Sequence, residues 1–400
     1  MARILYVNVP AHGHVNPTLP VVAELAARGH QVVYYNSASF EQIISATGAG
    51  FRPYPNSDRS EIEFAGRVNN LVNVTRYLLE ESLHLTPFLL EETAREKPDV
   101  IVFDSIALWG MAVARLQKIP SIASITTLIN DGVSGILNWR DYLYIIRKGL
   151  SALPALQRLR RRLVKSHGHD IFPGNAILPC RGDANMAFTS RHFQPQTAYI
   201  DESFHFVGPS IHAATRKKTD FPWERLDLER PIIYLSLGTL YNNNPNFYRM
   251  VYTAFSDHAA QFILSLGKES AILDTGAVPD NFIVQPNVPQ LEVLQKVVLF
   301  VTHGGMNSVN ESLYYGVPLV VVPQQIEQAI NGRQVARHGA GIVLADSPPY
   351  GKLSADLLRQ SVAKVLADHL YRQNAEKIRQ SFREAGGYQR AASLIASKLP

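Results

Sequence analysis

The stretch VTHGGMNSVNESLYYGVP at residues 301–318 carries side chains suited to holding an anionic ligand. Val301-Thr302 would close a buried strand, His303-Gly304-Gly305 would turn the chain, and a helix should begin near Asn307-Ser308. Glycines let the backbone approach a ligand closely, and the first amides of a helix lack intrahelical partners and favour an anion. His303 and the hydroxyl of Ser308 can donate to phosphate oxygens, and Glu311, one turn on, can accept from the two hydroxyls of a ribose. The same string would also serve as a glycine-rich turn capped by Asn307, with His303 packed beside it.

A second group lies near the N-terminus. The loop Ala11-His-Gly-His-Val-Asn-Pro17 follows an apolar run from Arg3 to Val9, and Asp104 ends another run, Val100 to Phe103. Histidine titrates near ~6.5 and can take a proton from a hydroxyl as a bond forms. Taken singly, His14 also reads as a loop histidine bonded to a carbonyl, and Asp104 as a helix N-cap. His12 offers the same chemistry as His14.

The elements that must position these residues alternate regularly. Arg3–Val9 and Gln31–Tyr35 read as strands flanking a helix that Asn16 should cap, with Pro17 at its first position and Gly29 at its end. Further buried strands are predicted at Asp99–Phe103 and Ser121–Ile125, with a helix at Ile106–Leu116 between them and helical stretches at 60–95 and 130–168. The polar stretch HAATRKKTDFP reads as a linker, after which strands recur at Pro231–Leu237, Gln261–Leu266, Phe282–Gln285, Val297–Thr302 and Pro318–Val322. The chain ends in helices, Ser354–Ala367 and Tyr371 onward. Such alternation predicts α/β architecture in two doubly wound halves, with ligands beyond the carboxyl ends of the strands.

The segment Asn287-Val-Pro-Gln290, then THGGMNSVNE, then GVPLVVVPQQIEQ ending at Gln328 resembles the donor-binding signature of the UDP-glycosyltransferase superfamily, and within it the bacterial branch that glycosylates macrolides and flavonoid-like acceptors. The resemblance runs from AHGHVNP to the C-terminal helices. It implies a GT-B fold, two Rossmann-like doubly wound domains facing a central cleft. Residues 1–208 would bind the acceptor, 209–222 would link, 223–380 would bind the nucleotide sugar, and 381–400 would be a C-terminal helix returning to the first domain.

The resemblance also assigns roles. Val288 would bond uracil through its backbone, and Gln290 and Glu311 would hold the ribose. His303, Asn307 and Ser308, with Gly305 beside them, would hold the diphosphate. Ser236-Leu-Gly238-Thr239 matches the family's glycine loop, Glu327 and Gln328 match the pair that binds sugar hydroxyls, and Thr126 matches a threonine that touches the donor sugar. His14 stands where the catalytic base does and Asp104 where its aspartate does. Asn287 replaces an aromatic residue that commonly stacks on the base, and Glu327 replaces the commoner aspartate. An inverting displacement follows, in which a hexose, glucose foremost, passes from a UDP-sugar co-substrate to a hydroxyl of a small, largely apolar acceptor. Phe64, Trp109, Ile136 and Trp139 are candidates for the acceptor pocket, and equally for plain core.

Composition is consistent with this reading without requiring it. The 400 residues are 46% apolar and 18% charged with a formal charge of +5, a globular balance that marks out neither a nucleic acid nor a membrane surface as partner. The single cysteine, Cys180, excludes an internal disulfide, and the N-terminus lacks a signal peptide's apolar core. No run reaches the ~20 apolar residues of a membrane span, so a cytoplasmic protein is expected. The basic run Gln157–Arg162 is expected to be a solvated helix face rather than a membrane-surface or anionic-ligand contact. No Asp-x-Asp metal motif occurs, and no cofactor or metal is implied. A dinucleotide-dependent oxidoreductase would need a G-x-G-x-x-G turn where Ala11-His-Gly-His14 stands. The alternative is a nucleotide-sugar epimerase or a non-catalytic sugar-nucleotide binding protein, which would have no use for a His14–Asp104 pair.

Overall fold

The computed structural model describes residues 1–55, 71–129, 136–168, 171, 180–216, 218–238, 245–267, 276–348, 350–351 and 353–399. The chain divides into two units, one of Met1–Ser134, Tyr142–Arg216 and Glu384–Pro400, the other of Gly135–Asp141 and Lys217–Arg383.

In the first unit seven strands form one sheet: β1 (Arg3–Val7), β2 (Gln31–Asn36), β3 (Gly50–Pro53), β4 (Val100–Asp104), β5 (Ser121–Ile125), β6 (Ala184–Ala187) and β7 (Phe204–Phe206). Their order is β3-β2-β1-β4-β5-β6-β7, and every pairing is parallel. A parallel sheet is covered on both faces, which is why its strands read as unbroken apolar runs. Side chains alternate across it: Leu5, Val7, Ile101 and Phe103 enter one core, and Ile4, Tyr6, Val100 and Val102 enter the other.

The second unit repeats the plan with β8 (Ile232–Ser236), β9 (Gln261–Ser265), β10 (Phe282–Gln285), β11 (Leu299–Thr302), β12 (Leu319–Val321) and β13 (Gly341–Val343). These six strands are ordered β10-β9-β8-β11-β12-β13, again all parallel.

Several sequence expectations need correction. β1 stops at Val7, because Asn8 turns the chain with its side chain: its carbonyl oxygen accepts from the Val9 amide. Asn16 does not cap the first long helix. A short turn His12–Val15 intervenes, Asn16 ends it in helical conformation, and Pro17 caps the Thr18–Ala27 helix. Of the predicted helical stretch 130–168, residues 130–135 lie outside the described residues, and the rest holds two helices, Trp139–Gly149 and Leu153–His167. Residues 60–70 of the other predicted helical stretch lie outside the described residues, and its remainder is the Leu71–Glu96 helix.

Two boundaries also move. Residues 135–141, expected in the first domain, group with the second unit because the buried carboxylate of Asp141 pairs with Arg333 and accepts a 3.0 Å hydrogen bond from the Tyr350 hydroxyl. The segment 381–400 is not one helix: the Leu370–Glu384 helix runs past 381, and the chain breaks at Gly386, whose φ of 94° is left-handed. The Gly387–Ala396 helix that follows packs on Thr18–Ala27, with Ala391, Ala392 and Ile395 in one core with Leu19 and Val22. No described helix is long and apolar enough to cross a membrane.

Candidate active site

Each sheet reverses its strand order once, between β1 and β4 in the first unit and between β8 and β11 in the second. Loops leaving neighbouring strands at such a point diverge and leave a crevice for ligands. His14 and Asp104 lie at the first of these places, and Ser236, Gly238 and His303 at the second.

In the first unit, His14 sits on the short turn after β1 and Asp104 is the last residue of β4. The His14 Nδ1 lies 2.7 Å from Asp104 Oδ2. The carboxylate is buried, and its other oxygen accepts from the Ile106 amide at 2.9 Å, so its orientation is fixed from both sides. A carboxylate at Nδ1 favours the tautomer with its proton there, leaving the basic lone pair on Nε2. Thr126, immediately after β5, places Oγ1 3.0 Å from the same Nδ1. His12 instead is exposed, its ring tilted against Phe40 at 4.9 Å between centroids.

Behind this pair stands a buried polar network that the residue-type argument did not single out. Asn8 donates from Nδ2 to the His14 carbonyl at 3.1 Å and to the Tyr34 hydroxyl at 2.8 Å, and the Thr18 hydroxyl lies 2.8 Å from that of Tyr34. Tyr54 donates to the Asn8 carbonyl at 2.9 Å. Burial pushes both phenols up, so they stay protonated and available as donors. The signal for this network was an asparagine inside an otherwise apolar strand run. A buried amide must find partners, and here they hold the turn that carries His14.

In the second unit, Ser236 ends β8 and His303 follows β11 directly. The imidazole is enclosed by glycines: a Cβ on Gly238 would stand 2.5 Å from His303 Cε1, and one on Gly305 2.5 Å from Nε2. Burial drives the His303 pKa down to about 4, opposed in part by a hydrogen bond to the Ser236 backbone. The ring is therefore neutral near pH 7 and acts through a hydrogen bond rather than a charge.

The helix after it, Met306–Tyr314, is capped by Gly305 with no side-chain cap bond, so Asn307 is not its cap. Asn307 and Ser308 lie half-buried in its first turn, where amides lack intrahelical acceptors. Farther along, Glu311 and Gln290 are joined: Gln290 Nε2 donates to Glu311 Oε2 at 2.6 Å, and the Tyr234 hydroxyl donates to Gln290 Oε1 at 3.2 Å. A carboxylate and an amide held together in this way present acceptors suited to a diol. Val288 is half-buried and Asn287 exposed on the loop leaving β10.

Glu327 opens the Ile326–Arg337 helix and accepts from Asn331 Nδ2 at 2.7 Å, while the same amide reaches the Gly304 carbonyl at 2.9 Å. Asn331 thereby ties the start of this helix to the glycine turn, a role no local pattern reveals. Gln328 is buried, and its Oε1 accepts from the Gln324 amide at 2.7 Å. Thr239 lies outside the described residues.

The acceptor candidates fare differently. Phe64 lies outside the described residues. Trp109 is a core residue, fully buried with its indole N–H donating to Tyr54 at 3.2 Å. Ile136 is also buried, in the second unit, where its carbonyl accepts from Arg333 at 2.9 Å. Both fall to the core reading that the sequence left open: an apolar residue between chemistry-bearing segments reads the same from sequence whether it faces a ligand or the core. Trp139 is exposed, with the Arg140 guanidinium 5.4 Å from its ring centre.

Comparison with known proteins agrees with this architecture. Residues 250–385 match the family of the erythromycin biosynthesis protein CIII-like C-terminal domain. The chain is 31% identical over 398 residues to the uncharacterized UDP-glucosyltransferase YojK of Bacillus subtilis, covering 99% of this chain and 97% of that protein. It is 33% identical to the NDP-glycosyltransferase YjiC of the same organism, covering 98% and 96%. Among solved structures, the glycotransferase of kitacinnamycin superposes with a TM-score of 0.82 at 27% identity, covering 100% of this chain and 99% of that one. With the paired parallel-sheet units, the strand-end sites and this full-length similarity together, the chain belongs to the UDP-glycosyltransferase superfamily and is a glycosyltransferase of GT-B fold.

Proposed function

We propose that this enzyme transfers a hexose, glucose foremost, from a UDP-sugar to a hydroxyl of a small, largely apolar acceptor of the macrolide, flavonoid or phenolic kind, with inversion and without a metal ion. The observation that carries the reading is the 2.7 Å contact between His14 and the buried Asp104. In this mechanism His14 Nε2 takes the acceptor's proton while the oxygen attacks the anomeric carbon opposite the departing diphosphate, so an α-linked donor yields a β-glycoside. Asp104 holds the tautomer and stabilises the imidazolium, and Thr126 contacts the sugar. Charge growing on the leaving group meets the amide end of the Met306–Tyr314 helix, Asn307, Ser308 and the neutral His303, with Gly238 and Gly305 keeping the ring in place.

Gln290 and Glu311 hold the ribose, Val288 the base, and Glu327 and Gln328 the sugar hydroxyls. The donor base is supported by the name of one relative, a UDP-glucosyltransferase; another is named only for NDP. A natural-product acceptor is supported by the match to the erythromycin biosynthesis family. With a single cysteine and hence no internal disulfide, we place the enzyme in the reducing cytoplasm. Incubation with UDP-glucose and a panel of phenols and macrolide aglycones, with mass and proton-coupling analysis of the products, tests the reading. An added hexose with a large anomeric coupling is expected. An α-glycoside, or epimerised donor with no transfer, would overturn it.

A further inference from the structure

The Trp139–Gly149 helix leaves one apolar face uncovered. Trp139, Leu143, Ile146 and Leu150 recur at spacings of four, three and four, which places them in a single stripe, and they are 66%, 56%, 53% and 62% exposed. Side chains of this kind are ordinarily scattered singly on a surface, and a contiguous row marks a contact. The stripe leads into the Leu153–His167 helix, where Arg158, Arg161, Arg162 and Lys165 are all exposed on one face.

Charge specifies what the contact would be. From residue 139 to 167 the sequence holds eight lysines and arginines and a single acid, Asp141. That acid contributes no negative surface, because it is buried and paired with Arg333. An exposed apolar helix face followed in the chain by an exposed row of cations suits the interface of a bilayer: the apolar row enters the headgroup layer and the arginines meet lipid phosphates. A nucleic acid would use the cations but would leave the apolar row in water.

From this combination we infer that residues 139–165 form a peripheral docking surface for a bilayer bearing anionic lipids. The basic run then does more than solvate a helix, because it follows an exposed apolar row directly in the chain. Attachment is reversible and salt-sensitive, since screening weakens the cationic part.

Cosedimentation of the full chain with vesicles tests the inference, using phosphatidylglycerol mixed with phosphatidylcholine against phosphatidylcholine alone. Binding is expected to the anionic vesicles, weakening as salt is raised. The double variant Arg161→Glu, Arg162→Glu should reduce it about tenfold or more, and Leu143→Ser with Ile146→Ser should reduce it comparably. The chain has three tryptophans; in a Trp223→Phe background, with Trp109 buried, the emission of Trp139 should shift to the blue on anionic vesicles. That readout needs no change within the surface and stands even if a double variant fails to fold. No binding to anionic vesicles, equal binding to phosphatidylcholine, or binding indifferent to both double variants would overturn the inference. So would a Trp139 shift produced by a soluble phenolic acceptor and not by vesicles, which would assign the stripe to acceptor binding.

Discussion

The ring of His303 occupies the space in which a side chain at Gly238 would begin, 2.5 Å from the position of its Cβ. Gly238 also has φ of +80°, in the left-handed region. Gly238→Ala therefore meets two penalties, backbone strain of roughly 1–2 kcal/mol and displacement of the imidazole. Gly276 has φ of +87° with nothing within 4 Å of its Cβ position, so Gly276→Ala carries the strain alone. UDP affinity should fall at least about tenfold in Gly238→Ala and hold in Gly276→Ala, with both melting temperatures lowered. Titration calorimetry and thermal melts check this, and equal UDP affinity in the two variants would show that the His303 position does not matter to binding.

His14→Ala should reduce turnover by roughly 10²–10⁴, the usual range for a general base, while UDP binding barely changes. Asp104→Ala should do less damage, since Asp104 orients the base and does not take the proton. Steady-state kinetics with an alcohol acceptor decide the matter. Near-normal turnover in His14→Ala would move the assignment to His12.

The neutral His303 links stability to pH. Its folded pKa of about 4 lies below the usual histidine value, so the unfolded chain binds this proton first as pH falls. The contribution is fully present above about pH 6.5 and is lost progressively as pH falls toward the folded value. His303→Gln should flatten this limb of the curve. Urea melts at several pH values between these limits, on both proteins, give the slopes, and parallel curves would contradict the assignment.

Asn287 is exposed on the loop leaving β10, where added aromatic surface meets no core. Asn287→Trp should tighten UDP binding within the ~1–3 kcal/mol typical of base stacking, and the native enzyme should turn over TDP-sugars as well as UDP-sugars. Calorimetry on both forms checks it: unchanged or weaker binding in the variant would mean another group already covers the base.

Excess EDTA should leave activity intact, because the leaving diphosphate is assigned to the Met306–Tyr314 helix end and to His303. An assay with and without chelator suffices. Complete loss on chelation, restored by magnesium, would require a metal in the mechanism.

The sequence by itself determined the alternation of strands and helices, because parallel strands buried on both faces must be written as apolar runs such as Val100–Phe103. It also marked the chemistry at their ends: His14, Asp104, His303 and Glu311 are polar residues placed directly after, or one turn beyond, those runs. Strands β3, β6, β7 and β13 escaped notice because each is short and either opens on glycine or is interrupted by a polar residue, so none shows an unbroken apolar run. Tertiary structure alone decided which apolar residues face the core, since Trp109 and Ile136 are buried by neighbours distant in sequence. It alone brought Asp141 to Arg333, moving residues 135–141 into the second unit, and joined Asn8 to His14 and Asn331 to Glu327 and Gly304. Burial, hydrogen-bond satisfaction and the fall of the His303 pKa depend on what surrounds a group in space. Local sequence spacing specifies a residue's own element and not its neighbours across the fold.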